Sequence, residues 1–436
     1  MTNNFLDPAL EPIRVGVLGA GTVGSQTVRL LVEQACDLSA RIGRPLEIVG
    51  IAVLDPAAVT DPWIDRSLLT TDAADLATRA DIVVELIGGI EPARTFLLAA
   101  INAGASVVTA NKALLATHGP ELYKAAADKG VDIYFEAAVA GAIPIVRPLR
   151  ESLVGDKVNR VLGIVNGTTN YILDEMTTKG LSFDAALKDA QSKGFAEADP
   201  TADVDGLDAA AKAAIIANLS FHTDVRIDDV QTEGIANIKA ADIAAATALH
   251  RVIKLLAVVS RTDTGISAGV YPAMIPLNHP LAAVHGSFNA VFVEAEAAED
   301  LMFYGRGAGG APTASAVVGD IVSEARHIAH GSLGPDIPLY ANLPIVDGGD
   351  EESSFVLRIS VLDQPGVLAS VSQTFADHGI SIKAVSQLET KDPLGNNELW
   401  ITTHVVADRV VRLTADDLKN LSAIHSVLSI LRIFED

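Results

Sequence analysis

One cysteine, two tryptophans and four methionines stand in a chain of 436 residues, and aromatic side chains make up only 5% of it. The lone Cys36 excludes an intramolecular disulfide and any cluster of thiolate metal ligands. Cations are scarce too: 32 Lys and Arg face 55 Asp and Glu, a formal charge of −23. A surface of that sign repels polyphosphate, which argues against nucleic-acid binding. No uncharged apolar run approaches the ~18–20 residues of a membrane helix, so no membrane span is expected. The opening MTNNFLDPALEPI lacks the basic stretch and apolar stretch of a secretory leader. What is abundant is small apolar residues: the hydrophobic share is 49%, enough for sizeable cores and too high for a disordered chain. These features describe an acidic, globular, cytoplasmic protein of two or three domains, at about 150 residues per domain.

The chain changes character three times. Over residues 1–145, short β-rich runs (Ile13–Leu18, Glu47–Leu54, Asp81–Ile87, Ser106–Thr109, Val131–Val139) alternate with Ala- and Leu-rich helical stretches. That alternation predicts βαβ units and a doubly wound parallel sheet. Residues 146–345 mix strand-like pieces with longer helices over Leu181–Ser192, Asp208–Phe221 and Ala240–Val258, an α+β domain. A helix over 314–330 is expected to return to the first domain. Residues 346–353, carrying DGGDEE, read as a linker. Beyond it, 354–436 follow the order βαββαβ, the split arrangement of a small α/β sandwich.

The first strand runs into Gly19-Ala20-Gly21-Thr22-Val23-Gly24 and then an apolar helix. Glycines at these spacings allow a tight turn, a close backbone approach to pyrophosphate, and packing of helix on strand. Placed after a strand and before a helix, the motif points to a dinucleotide and a Rossmann-like domain. The second strand ends at Leu54-Asp55, where an acidic residue suits free ribose hydroxyls and favours NAD over NADP. Asp55 serves equally well as a turn cap. Ile87, before Gly88-Gly89, and Lys112, in Thr109-Ala110-Asn111-Lys112, stand at strand carboxyl ends, where ligands of such sheets bind.

The densest chemistry lies in GFAEADPTADVDGLDAAAK, residues 194–212. Pro200 and Gly206 make its first part a loop, with Asp205 in place to cap the following helix. On a helical wheel with Leu207 at zero, Asp208 falls at ~100° and Lys212 at ~140°, beside Ile215 at ~80° and Leu219 at ~120°. The Asp208–Lys212 pair therefore lies in the apolar arc, and a desolvated pair of charges points to function. A lysine near carboxylates can exchange a proton with an alcohol while hydride moves to nicotinamide. Neighbouring carboxylates can hold an ammonium group, which hints at an amino-acid substrate.

That stretch, with NGTTNYIL and ANKAL upstream, resembles homoserine dehydrogenase along most of residues 13–330. The resemblance implies reversible oxidation of L-homoserine to L-aspartate 4-semialdehyde, on the way to threonine, methionine and isoleucine. It implies Lys212 as proton donor and acceptor, and Lys112 as an assistant at the reacting oxygen and a cofactor contact. Glu197, Asp203 and Asp208 would bind or orient homoserine, and Gly307 would lie near the cofactor. Glu136, Val139, Gly141 and Ile143 resemble the family's monovalent-cation loop, in which mostly backbone carbonyls coordinate sodium. The apolar Leu54 departs from the basic residue of many NADP-using members and again favours NAD. The motifs Asp363-Gln-Pro-Gly366-Val-Leu368 and Gly379-Ile-Ser-Ile382 resemble an ACT domain, which implies an amino-acid effector such as threonine. A homodimer or homotetramer is expected. The chain is too short to carry a kinase domain as well.

Two other readings stand beside this one: a non-catalytic sensor of nucleotide and amino acid, and a dehydrogenase of another hydroxy-amino acid. His327 and His330 have no third ligand in view and read as solvated helix residues. Cys36 reads as a small packing residue at the end of the first helix.

Overall fold

The computed structural model describes residues 11–337, 339–391 and 396–434, so the opening residues Met1–Leu10 lie outside the described ones. The chain divides into two compact units. The first comprises Met1–Val161, Ala211–Ile227 and Phe288–Leu343. Its parallel sheet contains β1 (Ile13–Leu18), β2 (Leu46–Ala52), β3 (Leu69–Thr70), β4 (Ile82–Glu85), β5 (Ser106–Thr109) and β6 (Ile133–Tyr134), in the order β3-β2-β1-β4-β5-β6. The helices between them are α1 (Thr22–Glu33), α2 (Ala35–Ile42), α3 (Ala73–Arg79), α4 (Ala93–Ala103) and α5 (Lys112–Lys129). This is the doubly wound fold that the alternating runs predict. Strand order reverses between β1 and β4, which opens a ligand crevice at their carboxyl ends.

Burial on both faces explains the apolar runs. Val15 and Val17 of β1, Ile82 and Val84 of β4 and Val108 of β5 share one core with Val28 and Leu31 of α1. The helix Gly310–His330 adds Val317, Val318, Ile321 and Ala325 to that core. The run Val131–Val139 yields a strand only at Ile133–Tyr134 and then a tight turn at Glu136–Ala138. The buried Glu136 carboxylate takes the N–H groups of Ile145, Val146 and Arg147, and so draws the chain back on itself. Cys36 lies in α2, not at the end of α1, and is exposed, so it packs in no core.

A second carboxylate in this unit makes stability depend on pH. Glu324 is buried beside Asp132 and Ser106. Burial is the main cause that pushes its carboxyl up to about 8; the Ser106 hydrogen bond opposes the shift, and the Asp132 charge adds to it. Between its ordinary value of 4.5 and about 8, the folded chain keeps a proton that the unfolded chain sheds. Stability is therefore fullest below that window and falls as pH rises through it. Glu324→Gln, which mimics the protonated acid, flattens this fall. Melting temperatures from about pH 5 to about pH 9 check it, and parallel slopes in the two proteins would refute it.

The second unit comprises Leu162–Ala210, Asp228–Ser287 and Pro344–Asp436. Here the predicted helix Ala240–Val258 is corrected: the helix stops at Ala248, and Arg251–Arg261 is a strand paired antiparallel with Ile266–Pro276. Residues 252–259 are all buried, so the run has no polar alternation to mark it as a strand. The C-terminal part has strands Glu352–Val361, Ile382–Lys391, Asn397–Thr403 and Ile424–Ile433, with helices Val367–Asp377 and Asp408–Leu418. That is the expected βαββαβ order, with a two-residue strand Val406–Ala407 added. The last helix runs Asp408–Leu418, with Val411 and Leu418 facing the module's core.

This module continues a sheet. Ala273 and Met274 pair in parallel with Arg432 and Ile433. The Arg432 guanidinium donates to Glu351 at 2.7 Å, Asp408 at 3.0 Å and Gln231 at 3.1 Å, and lies 4.0 Å over the Tyr271 ring. The residues leading into the module are bonded too: the Ile266 N–H donates to the Pro344 carbonyl, and the Val346 N–H to the Ile266 carbonyl. Among the described residues, no helix is long and apolar enough to cross a membrane.

Candidate active site

In the first unit the glycine motif forms the turn between β1 and α1. A Cβ on Gly24 would lie 2.1 Å from the Gly19 carbonyl oxygen, so this position tolerates no side chain. Gly19 has φ +103°, and its Cβ would meet the Leu86 carbonyl at 2.9 Å and Ile87 at 3.0 Å. A Cβ on Gly21 would point into open space, and no side chain caps the N-terminus of α1 at Thr22. A bare turn opening on free helical N–H groups fits a pyrophosphate. Val23 packs against the core below.

Glu85, which sequence reasoning passed over, organises the neighbouring strand ends. Buried completely, it accepts the N–H groups of Ile87 and Gly88, each at 2.9 Å, and the Thr109 hydroxyl at 2.6 Å. Thr109 accepts the Asn111 N–H, and Asn111 caps α5, whose first residue is the half-buried Lys112. One carboxylate thus sets both loops that carry candidate residues. At the end of β2, Asp55 accepts the Ala57 N–H at 2.9 Å and so caps a short turn, while Leu54 is fully exposed.

Gly307 and the 136–143 segment meet as well. Gly141 has φ +58°, and a Cβ there would lie 2.4 Å from the Gly307 carbonyl oxygen. The Ala142 N–H donates to the Arg306 carbonyl at 3.1 Å. Gly310 in turn sits so close to Thr22 that a Cβ would come within 2.9 Å of its carbonyl. Glu136, Val139 and Ile143 are buried. Among the described residues, no group of three or more His, Cys, Asp or Glu side chains is placed to hold a metal.

The second unit holds the carboxylates. Glu197 is exposed, and its carbonyl accepts from the Gln191 amide. Residues 194–206 are not wholly a loop, since Thr201–Val204 form one helical turn. Asp205 closes that turn, so it does not cap the next helix, where Gly206 stands ahead of Leu207. Asp203 and Asp208, both half-buried, accept from the same atom, the side-chain nitrogen of Asn166, at 2.7 and 2.8 Å. Lys212 follows Asp208 one turn along the helix Leu207–Phe221 and is 8% exposed. Every residue from Ala209 to Phe221 is buried, so the apolar arc did not single this lysine out: the helix has no wet side beyond its first turn.

A family model described as homoserine dehydrogenase matches residues 144–322, another for that enzyme's NAD binding domain matches 19–136, and an ACT domain model matches 355–423. The homoserine dehydrogenase of Mycobacterium tuberculosis is 51% identical over 433 residues, spanning 97% of this chain and 98% of its own. The chain belongs to the homoserine dehydrogenase family. A crystal structure of a homoserine dehydrogenase from Thiobacillus denitrificans matches with a TM-score of 0.91 at 38% identity, covering 98% of this chain and 99% of that one. A hyperthermophilic archaeal homoserine dehydrogenase in complex with NADPH matches with a TM-score of 0.61 at 27% identity, over 72% of this chain and 98% of that one. The protein is thus an oxidoreductase of L-homoserine and L-aspartate 4-semialdehyde that uses a nicotinamide cofactor and carries an ACT domain. The reading as a sensor without catalysis, and the reading as a dehydrogenase of another hydroxy-amino acid, are not favoured.

Proposed function

We propose that Lys212 takes the hydroxyl proton of L-homoserine during oxidation and returns it in the reverse direction. Glu197, Asp203 and Asp208 bind and orient the substrate, with its ammonium group as their counter-charge. Lys112 assists at the reacting oxygen and contacts the cofactor. The observation that carries this reading is the meeting of two aspartates on one amide, with a buried lysine one turn further along the same helix. The nicotinamide, when bound, accepts hydride from the carbon that bears the hydroxyl. Gly19, Gly21, Thr22, Val23 and Gly24 hold its pyrophosphate, Ile87 and Gly307 line its place, and Asp55 receives the adenosine ribose.

Cofactor preference is NAD. The exposed apolar Leu54 and the acidic Asp55 supply nothing to neutralise a 2′-phosphate. Sodium is held by the segment of Glu136, Val139, Gly141 and Ile143. The Glu136 side chain is already taken by three N–H groups, so this residue contributes its main-chain oxygen. The domains run 1–145, 146–345 and 354–436, with a linker over 346–353. Threonine acts as effector at the ACT domain, and the protein is a cytoplasmic homodimer or homotetramer.

Nicotinamide absorbance with L-homoserine and either nucleotide tests the centre of this reading. Homoserine-dependent reduction is expected with both, and faster with NAD. A reversed preference discards the cofactor assignment alone. No reduction with either nucleotide, in a protein that still binds them, discards the catalytic roles.

A further inference from the structure

We infer that Asn166 is a positioning residue, which fastens Asp203 and Asp208 together as one receptor for the substrate. The inference rests on the reading that these two carboxylates hold homoserine. Asn166 is 6% exposed and caps the helix Gly167–Lys179. Its side-chain oxygen accepts the Thr169 N–H at 2.9 Å and the Thr169 hydroxyl at 3.1 Å. That cap decides which way the amide faces: oxygen toward the helix, nitrogen away from it. The nitrogen carries two hydrogens, and it has two partners, Asp203 Oδ1 at 2.7 Å and Asp208 Oδ2 at 2.8 Å.

Capping alone does not call for asparagine. Serine and aspartate cap helices about as well. Only asparagine places an acceptor on the helix and two hydrogens on a second nearby group at once. Those two hydrogens hold like charges side by side that would otherwise swing apart. The cap is itself anchored one turn further on. Asn170 donates to the carbonyls of Val284 and Gly286, and accepts from the buried Lys254 at 3.0 Å. Thr168 donates to the Phe195 carbonyl at 2.7 Å, which fixes the start of the carboxylate-bearing segment. The helix start is therefore a fixed post from which the two aspartates are aimed.

Asn166→Asp and Asn166→Ser together separate this role from a structural one. In the first, the new carboxylate still caps the helix but meets Asp203 and Asp208 with no hydrogen between them, so its melting temperature falls. Asn166→Ser, which caps and adds no charge, stays near the wild-type value. In the aspartate variant both hydrogens are lost and a third negative charge enters, so KM for L-homoserine rises by at least about tenfold, the worth of one charge-assisted hydrogen bond. The dissociation constant for NADH in the same protein stays unchanged. Asn166→Ser shows the same rise in KM and carries the test if the aspartate variant misfolds. Wild-type KM and kcat in both variants overturns the inference, as does a loss of activity in Asn166→Ser that only follows a lowered melting temperature. Asp208→Asn is measured alongside. If it raises KM while the Asn166 variants do not, the inference alone fails; if it leaves KM unchanged, the substrate reading beneath it fails as well.

Discussion

Replacing Lys212 by methionine lowers kcat for homoserine oxidation by about 10²–10⁴, the usual share of a positioned acid–base group. Methionine nearly conserves the length and volume of the lysine stem and carries no proton. The site is buried among Ala209, Ala213 and Ile216 of its own helix, so an apolar side chain is at home there. Removing one charge of a buried pair is costly when the other is left uncompensated, and less so where the group left behind keeps solvent or another donor. Asp208, one turn earlier on the helix, is half-buried and keeps the side-chain nitrogen of Asn166 as a donor. Fluorescence titration with NADH is therefore expected to give the wild-type dissociation constant. Stopped-flow or steady-state absorbance supplies kcat. A variant that turns over within tenfold of the wild type would remove Lys212 from the mechanism.

Removing the Glu136 carboxylate has the largest expected effect on stability. In Glu136→Ala, the N–H groups of Ile145, Val146 and Arg147 lose acceptors that now stand at 2.6, 2.8 and 2.9 Å. Glu136 is 3% exposed, so water does not readily replace the carboxylate. A buried donor left unsatisfied costs about 1–3 kcal/mol, and three of them place the loss at about 3–5 kcal/mol after partial relaxation. The Arg147 guanidinium keeps Asp320, to which it donates at 2.5 Å, and this limits the damage. Glu136→Gln costs less, since its amide oxygen still accepts two of the three groups while its NH₂ faces the third. Urea unfolding checks both variants. A loss below about 1 kcal/mol for alanine would show that the carboxylate is not the clamp of this turn.

Much of the site was legible because its chemistry is written in glycines and carboxylates. Gly19, Gly21 and Gly24 announce themselves by spacing; Gly19 and Gly24 meet steric demands in the folded turn, while Gly21 leaves its approach open. Asp203 and Asp208 stood out as charges crowded before an apolar helix. The residues that hold these groups left a fainter trace. Asn166 precedes Gly-Thr-Thr at the head of a helix, and a cap signal was there to be read. Its second use, through the amide nitrogen, depends on a segment some 40 residues away. Glu85 looks like the last letter of an apolar strand, and only the folded loops reveal what its oxygens do. Residues 251–258 of the strand Arg251–Arg261 read as helix in the sequence for a related reason. Periodicity reports a contrast between faces, and a segment buried on every side has none.

The pairing of Ala273 and Met274 with Arg432 and Ile433 has a consequence for descent. A regulatory module on a tether can be dropped or exchanged at little cost. Here its last strand is also the neighbour of a catalytic-sheet strand. A descendant that lost it would uncover the backbone of Ala273 and Met274, and open strand edges recruit other copies into aggregates. A lineage that sheds the module leaves those two residues to find another cover, so solubility weighs on its inheritance.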